Sequence, residues 1–511
     1  MKLSFLLATL WCCSLGGVDA QFTLDWMNPA GEFNKIAVMS ATDHLDNLVV
    51  TGYLQSNNIF TREYDINGNF LWEAIDSSGL PGLYEKPIWT TCDNDNNVYV
   101  VGKRYSISSW EYPDAVVALK YNSSGTLIWK QTVSVSVLIG SSFPGFNMRC
   151  ETDAIGNLYI GTAAASPSGF ILIKMDPDGN ILFVNNNTTN APTGFASMRL
   201  AGDRIIMTGP AGSNSSAPVI VWDTGGNVVW TALGTGNSGV DVETDDTGNV
   251  YLLTSYPNQV SATSGQDIVI YKYDPNGVQL WKKDFHFGGT EFATRFSLVG
   301  DKISAIGYST TTGYFDWVIF QLDFDGNLLW NSTYNGTSFN DEYPRYLAAK
   351  PNGDVVVTGV GGPSPDPFNL SYIQMVIVEY DSSGNQVWLD TPNIYGGSGL
   401  VCSFASDNSL YAISYYNMTA YHYNGTSQEI VGCTNCLAMN YNPDAQTDDG
   451  SCVISCSGDL DYNGAINSSD LLIFVAQFGL TGDCITSDLN QDGTVNVTDL
   501  LLFVVLFGAS C

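Results

Sequence analysis

Tyr273-Asp274-Pro275-Asn276-Gly277-Val278-Gln279-Leu280-Trp281 is one of seven copies of the same phrase. In every copy an Asp or Asn stands three residues before a Gly, and a Trp or Phe stands four residues after it. The copies are Asp65, Gly68, Trp72; Asn122, Gly125, Trp129; Asp176, Gly179, Phe183; Asp223, Gly226, Trp230; Asp274, Gly277, Trp281; Asp323, Gly326, Trp330; and Asp381, Gly384, Trp388. The chemistry is that of a β-hairpin. Asp or Asn opens a type I turn by accepting a bond from the backbone two residues on, and Gly supplies the left-handed residue that closes the loop with a bulge. Strand-forming residues flank the turn. The aromatic residue thus occupies one fixed point of each outgoing strand, as a repeated docking surface requires.

Measured from aromatic to aromatic, the copies recur at intervals of 47 to 58 residues. A period near fifty with several short strands per unit is that of a propeller blade. A second hairpin strand precedes each copy, at 47–52, 97–102, 157–161, 204–209, 249–254, 302–307, 354–359 and 409–414, so there are eight units. The eighth has three strands, near 401–405, 410–415 and 418–423, and no aromatic-bearing fourth. Phe22-Thr23-Leu24-Asp25-Trp26 reads as an orphan fourth strand, and pairing it with the eighth unit closes the ring and removes an exposed edge. The expected fold is all-β, an eight-bladed propeller, with seven blades as the alternative.

The Asp, Gly and Trp order resembles the tryptophan-docking propellers of quinoprotein dehydrogenases and related bacterial β-propeller repeats. The resemblance covers roughly 21–431, although the Asp-to-Gly interval here is one residue shorter. It implies architecture. Quinoprotein enzymes hold their cofactor with adjacent cysteines, and the adjacent pair here, Cys12-Cys13, falls in the leader. No catalytic or cofactor-binding residue is assigned: there is no Gly-x-Ser-x-Gly elbow, no phosphate loop and no His-Glu-x-x-His. His44, His286 and His422 read as surface or strand histidines. Asp-rich turns such as 93–97, 176–179 and 323–326 read as turn formers. A carboxylate pair contributed by different blades leaves no local pattern.

Lys2, the apolar run Leu3–Leu10 and the small-residue end at Ala20 read as a signal peptide over 1–20, which makes the remainder secreted or cell-surface. No later apolar run approaches the length of a membrane span. A formal charge of −32, from 51 acidic against 19 basic residues, argues against nucleic acid as a partner. Of 11 cysteines, Cys92, Cys150 and Cys402 sit in strand-like surroundings and read as buried thiols. Cys433, Cys436, Cys452, Cys456, Cys484 and Cys511 are disulfide candidates in the tail, with fifteen possible pairings.

The tail divides into a Cys-rich linker, 432–456, and a calcium module, 457–511. Asp459, Asp461, Asn463, Ala465, Asn467 and Asp470, then Asp488, Asn490, Asp492, Thr494, Asn496 and Asp499, occupy places 1, 3, 5, 7, 9 and 12 of two twelve-residue loops. Gly464 and Gly493 take the sharp turn at place 6. Alternating oxygen donors of this kind suit two Ca²⁺ ions. Each loop is expected to run into an apolar helix, Leu471–Phe478 and Leu500–Phe507. This loop–helix duplicate resembles a type I dockerin, which implies a cohesin-like or other surface partner, chosen by Ser468, Ser469, Val497 and Thr498. The basic residues common on dockerin helices are replaced by Ala476-Gln477-Phe478 and Val505-Leu506-Phe507.

The leading expectation is a non-catalytic binding protein whose propeller loops meet an extracellular polysaccharide or protein, with the tail as an attachment. The alternatives are a polysaccharide-degrading enzyme or component of a degradative complex, and a structural surface or matrix protein.

Overall fold

The structure is a computed structural model describing residues 22–28, 35–106, 113–134, 147–165, 168–190, 192–211, 216–235, 238–255, 267–310, 314–336, 342–361, 374–392, 399–414, 419–425, 431–432, 447–448, 458–460, 464–481, 485–490 and 492–509. The leader and all six tail cysteines lie outside the described residues. The chain divides into two compact units, Met1–Gly425 and Thr426–Cys511.

The first unit holds eight four-stranded antiparallel sheets. Seven are built from consecutive strands, blade 1 for example from Lys35–Thr42, Leu48–Leu54, Ile59–Tyr64 and Phe70–Asp76. The eighth takes Gly399–Phe404, Leu410–Ser414 and Ala420–Gly425 from one end of the unit and Phe22–Asn28 from the other. Phe22 pairs with Gly425, Leu24 with Tyr423 and Trp26 with His422. The innermost strands neighbour one another all the way round, and that of blade 8 meets that of blade 1. The ring is closed with eight blades, so the seven-bladed alternative is excluded. The blade 8 strands begin and end within about two residues of the expected positions.

The repeated phrase folds as its residues dictate. Asp274 Oδ1 accepts from the N–H groups of Asn276 at 2.9 Å and Val278 at 2.8 Å. Gly277 has φ +85°, and the strand register skips between Lys272 and Tyr273. Gly277 is required for a second reason: a Cβ there would sit 2.7 Å from the Trp230 ring of the preceding blade. Trp230 Nε1 donates to Pro275 O at 3.0 Å, fixing ring to turn. The same dock joins Trp26 to Gly68, Trp72 to Gly125, Trp129 to Gly179 and Trp330 to Gly384, with a Cβ on the glycine meeting the ring at 2.4 to 2.7 Å. At Gly326 the Lys283 stem comes nearer than the Trp281 ring. Blade 8 has no such turn, and Trp388 packs against Phe22 and Tyr423 instead, each at 5.1 Å between centroids.

The described residues of the second unit include two helices, α1 (Ser468–Gln477) and α2 (Val497–Leu506). Both start three residues earlier than expected. Asn467 and Asn496 are N-caps whose side chains accept from Ser469 N and Thr498 N, while Asp470 and Asp499 bond back to the cap N–H. A reciprocal capping box of this kind fixes the first turn ahead of the apolar run. Leu460, Ile466, Phe474, Val495 and Phe503 form the core of this unit.

Docking predicts a specific mutational asymmetry. Gly125→Ala adds both a left-handed alanine and a clash with Trp72, and is expected to cost about 2–5 kcal/mol. Gly202→Ala, where φ is +58° with nothing within 4 Å, carries strain alone and costs about 1–2 kcal/mol. Urea denaturation of the full chain measures both; equal losses would show that the dock contributes nothing.

Candidate functional site

A bulge recurs at one register position in six of the eight innermost strands, between Ala37/Met39, Pro87/Trp89, Gly239/Asp241, Ala293/Arg295, Pro344/Tyr346 and Gly399/Val401. An extra residue breaks the alternation of a strand and re-aims the side chains beside it. Residues at and around these bulges surround a cavity of about 390 Å³ on the propeller axis, including Met39, Trp89, Arg149, Arg295, Arg345 and Tyr346. Its size lies within the roughly 300–1,000 Å³ of small-ligand sites.

The chain has seven arginines, at 62, 104, 149, 199, 204, 295 and 345. Four of these stand on innermost strands. Arg149 is buried, and its Nη1 lies 3.3 Å from Asp241 Oδ1 without the alignment of a hydrogen bond. Its guanidinium is 4.7 Å from the Trp89 ring centroid. Asp241 also accepts from Ser197 Oγ at 2.5 Å. Arg295 stacks on Tyr346 at 3.9 Å. Among the described residues neither Arg295 nor the exposed Arg345 forms an ion pair.

Two residues further along the same strands, and hence on the same face, Arg199 pairs with Glu243 and, at 3.4 Å, with Glu151. This layer is balanced by its own carboxylates. The layer at the cavity is not: three guanidiniums meet one carboxylate.

Burial works to raise the pKa of Asp241, but Arg149, Arg295 and Arg199 outweigh it and hold the carboxyl below its ordinary value. Burial brings Arg149 down to about 10, with Asp241 opposing. Burial raises Glu243 against the pull of Arg199. Asp241 is therefore a committed counter-ion, and the cavity presents cationic, hydrogen-bond-donating planes held by aromatic rings.

The closing blade contains an arrangement with the connectivity of a catalytic triad. His422 Nδ1 lies 3.2 Å from Asp25 Oδ2, and Nε2 lies 2.8 Å from Ser409 Oγ. Both His422 and Ser409 are buried, and Trp26 stacks on the imidazole at 5.4 Å. A nucleophile must reach its substrate, and Ser409 is sealed from solvent. The array ties the orphan strand into blade 8. Cys150 and Cys402 are buried thiols and Cys92 is half-buried; all three are unbridged.

In the tail, Asp461 and Asn463 of the first loop lie outside the described residues. In the second loop carboxylate oxygens of Asp488, Asp492 and Asp499 lie within 4.8 Å of one another. Gly493 has φ +82° and its N–H donates to Asp488 Oδ2 at 2.7 Å. This all-oxygen set fits a hard cation. Asn467 and Asn496 spend Oδ1 on helix caps, and Asn496 Nδ2 donates to the Thr494 carbonyl at 3.0 Å. Ser468, Ser469, Val497 and Thr498 form the first turns of α1 and α2.

No protein-family model and no curated protein matches the chain. Among solved structures it is similar to the Dos1 propeller, at 10% identity over 79% of this chain and 95% of that one, TM-score 0.52. It is also similar to a streptogramin B lyase, at 10% identity over 67% and 97%, TM-score 0.41. A third is a Synechocystis apocarotenoid oxygenase mutant, at 9% identity over 73% and 93%, TM-score 0.38. The likeness to the Dos1 propeller is one of fold.

No local pattern in the sequence marks the arginines of the cavity. They come from strands up to 196 residues apart, Arg149 to Arg345, and what was visible in sequence was their scarcity elsewhere. Asp241→Asn is expected to destabilise the full chain by about 3–5 kcal/mol at neutral pH, because it leaves Arg149 buried without its counter-charge. The folded pKa of Asp241 lies below the ordinary value of 3.8. Its contribution is therefore present above that value and is lost as pH falls through the folded one. The gap between wild type and variant, read by denaturant titration, should persist at pH 5 and narrow only in stronger acid.

Proposed function

We propose that the chain is an exported, non-catalytic binding protein whose propeller cavity takes an acidic saccharide, and whose calcium-ordered tail attaches it to a scaffold or surface protein. The observation that carries the reading is the charge imbalance at the cavity: among the described residues neither Arg295 nor Arg345 forms an ion pair with a carboxylate, in a chain of net charge −32. A guanidinium fork matches a carboxylate or sulfate, and aromatic rings beside it suit the apolar face of a sugar. A protein ligand with an acidic side chain would use the same forks; the open, axial position favours the polysaccharide.

The tail supports attachment in two ways. Three carboxylates of the second loop repel one another, and a divalent cation relieves that repulsion and orders the loop. Beyond the loops, Leu472, Val475, Leu501, Val504 and Val505 of α1 and α2 are exposed. An apolar surface of that kind fits a protein partner of cohesin type.

Two measurements test the reading. Calorimetric titration with uronate and sulfated oligosaccharides, against neutral ones of the same length, should show binding of the acidic probes alone, weakened by salt and without product release. Arg295→Ala/Arg345→Ala should weaken it at least about tenfold; equal binding of neutral sugars, or an unaffected variant, refutes the cavity assignment. Scanning calorimetry of the full chain should show one transition that rises with Ca²⁺ and falls with a chelator; no calcium-dependent transition refutes the tail.

A further inference from the structure

Two innermost strands carry a glutamate at the same register position, opposite the residue two places beyond the glycine of the second strand, Glu85 and Glu291, and in blade 7 Glu342 stands immediately before the innermost strand. Two have conventional fates. Glu85 pairs with Lys130 at 2.7 Å, and Glu342 receives the Gly336 N–H on both oxygens at 2.9 Å. Glu291 differs. Its Oε1 is held by Phe287 N–H at 3.1 Å, Gly289 N–H at 2.8 Å and the Ser309 hydroxyl at 3.2 Å. Its Oε2 is fully buried with no hydrogen-bond partner, and faces His286 Nδ1 at 3.3 Å. Asp267 Oδ1 lies 3.0 Å from the same nitrogen.

We propose that Asp267, His286 and Glu291 form a binding site for a divalent transition metal of the zinc class, between blades 5 and 6. The three ligand atoms all lie within 4.8 Å of one another. Zinc holds nitrogen and oxygen ligands at about 2.0–2.2 Å in a tetrahedron, so its ligand atoms lie roughly 3.3–3.5 Å apart along an edge. The two measured edges of 3.0 and 3.3 Å are near that spacing before any ion draws the groups into line. Charge points the same way. The histidine supplies at most one positive charge against two carboxylates, and no described Lys or Arg pairs with either Asp267 or Glu291.

The donor set discriminates among cations. One imidazole and two carboxylates suit zinc and its neighbours, whereas Ca²⁺ takes oxygen ligands in larger number. The three bonds to Glu291 Oε1 orient its free oxygen, as outer-shell partners do at metal centres. The His286 side chain is 55% exposed, which leaves a solvent-facing position for a fourth ligand. The site stands apart from the axial cavity and does not depend on the reading of that cavity.

The test uses the full chain, stripped of metal by chelation and then held in excess Ca²⁺ so that the acidic tail loops are saturated. Zn²⁺ is titrated by calorimetry into wild type and His286→Ala, with Co²⁺ as an optical probe of a mixed nitrogen–oxygen site. The wild type is expected to take up one more Zn²⁺ than the variant, with affinity at this site falling at least about tenfold in His286→Ala and Asp267→Asn. Its thermal transition should rise with Zn²⁺ while that of His286→Ala does not. If His286→Ala fails to fold, His286→Gln serves in the same comparison. Equal zinc uptake by wild type and variant, or displacement of Zn²⁺ by Ca²⁺, overturns the assignment.

Discussion

An aromatic ring lying on a glycine of the next blade is the contact on which the propeller depends. The glycine is fixed twice over, by a positive φ that closes the turn and by the ring that occupies the space of its missing Cβ. At four docks, those of Trp26, Trp129, Trp230 and Trp281, the indole N–H also bonds a carbonyl inside that turn, as Trp129 does to Pro177 at 2.9 Å and Trp281 to Phe324 at 3.1 Å, whereas Trp330 donates to the Gln321 side chain of its own blade. One short segment thus ends a hairpin, receives the previous blade and presents the next aromatic. Because each dock joins neighbours, an open ring would leave one ring unreceived and one sheet edge unpaired. Pairing Phe22–Asn28 with Ala420–Gly425 removes both defects at once, since Phe22 itself supplies the surface on which Trp388 rests.

Closure also creates the cavity. Innermost strands crowd the axis, and glycines of the second strands beside them sit where a Cβ would strike an innermost-strand carbonyl: 2.3 Å from Lys86 O at Gly102, 2.4 Å from Tyr343 O at Gly359. Opposite these glycines the partner strand bulges, and the bulge turns a pair of side chains toward the axis. In a chain with so few arginines, their concentration at this point has no structural necessity. The salt bridges that brace the blades elsewhere use lysine as well, as in Lys35–Glu73 and Lys350–Glu379.

The division between what was legible in sequence and what was not follows the range of the interactions. Turn chemistry is local, so seven copies of Asp or Asn, Gly and aromatic specified the hairpins and the period, the eight second-hairpin strands specified the blade count, and the missing aromatic in unit eight pointed to its substitute at Phe22–Trp26. The helices of the tail were legible from their apolar runs, but their starts were not, because Asn467 and Asn496 were assigned to metal places and their capping role competes for the same oxygen. The cavity was illegible for a different reason: Arg149, Asp241, Arg295 and Arg345 lie in unlike local contexts, and ring closure alone brings them together. The same holds for His422, read as a strand histidine, whose partners Asp25 and Ser409 come from opposite ends of the unit.

Repetition supplies a measure of which residues answer to the fold. The position opposite the docking aromatic carries Glu63, Lys120, Lys174, Lys272, Gln321, Glu379 and His422, and fails to be polar in blade 4 alone, where Val221 stands. The three lysines all donate to a turn carbonyl of the following blade, at 3.0 to 3.3 Å. A polar residue there has a job that the architecture assigns, so the buried histidine of blade 8 needs no catalytic explanation. The inner-strand glutamate is the converse. Where Glu85 and Glu342 are satisfied within the repeat, Glu291 turns a buried, unpaired oxygen toward a neighbouring imidazole. A burial cost that the equivalent residues avoid is the physical signature of a group kept for something other than folding.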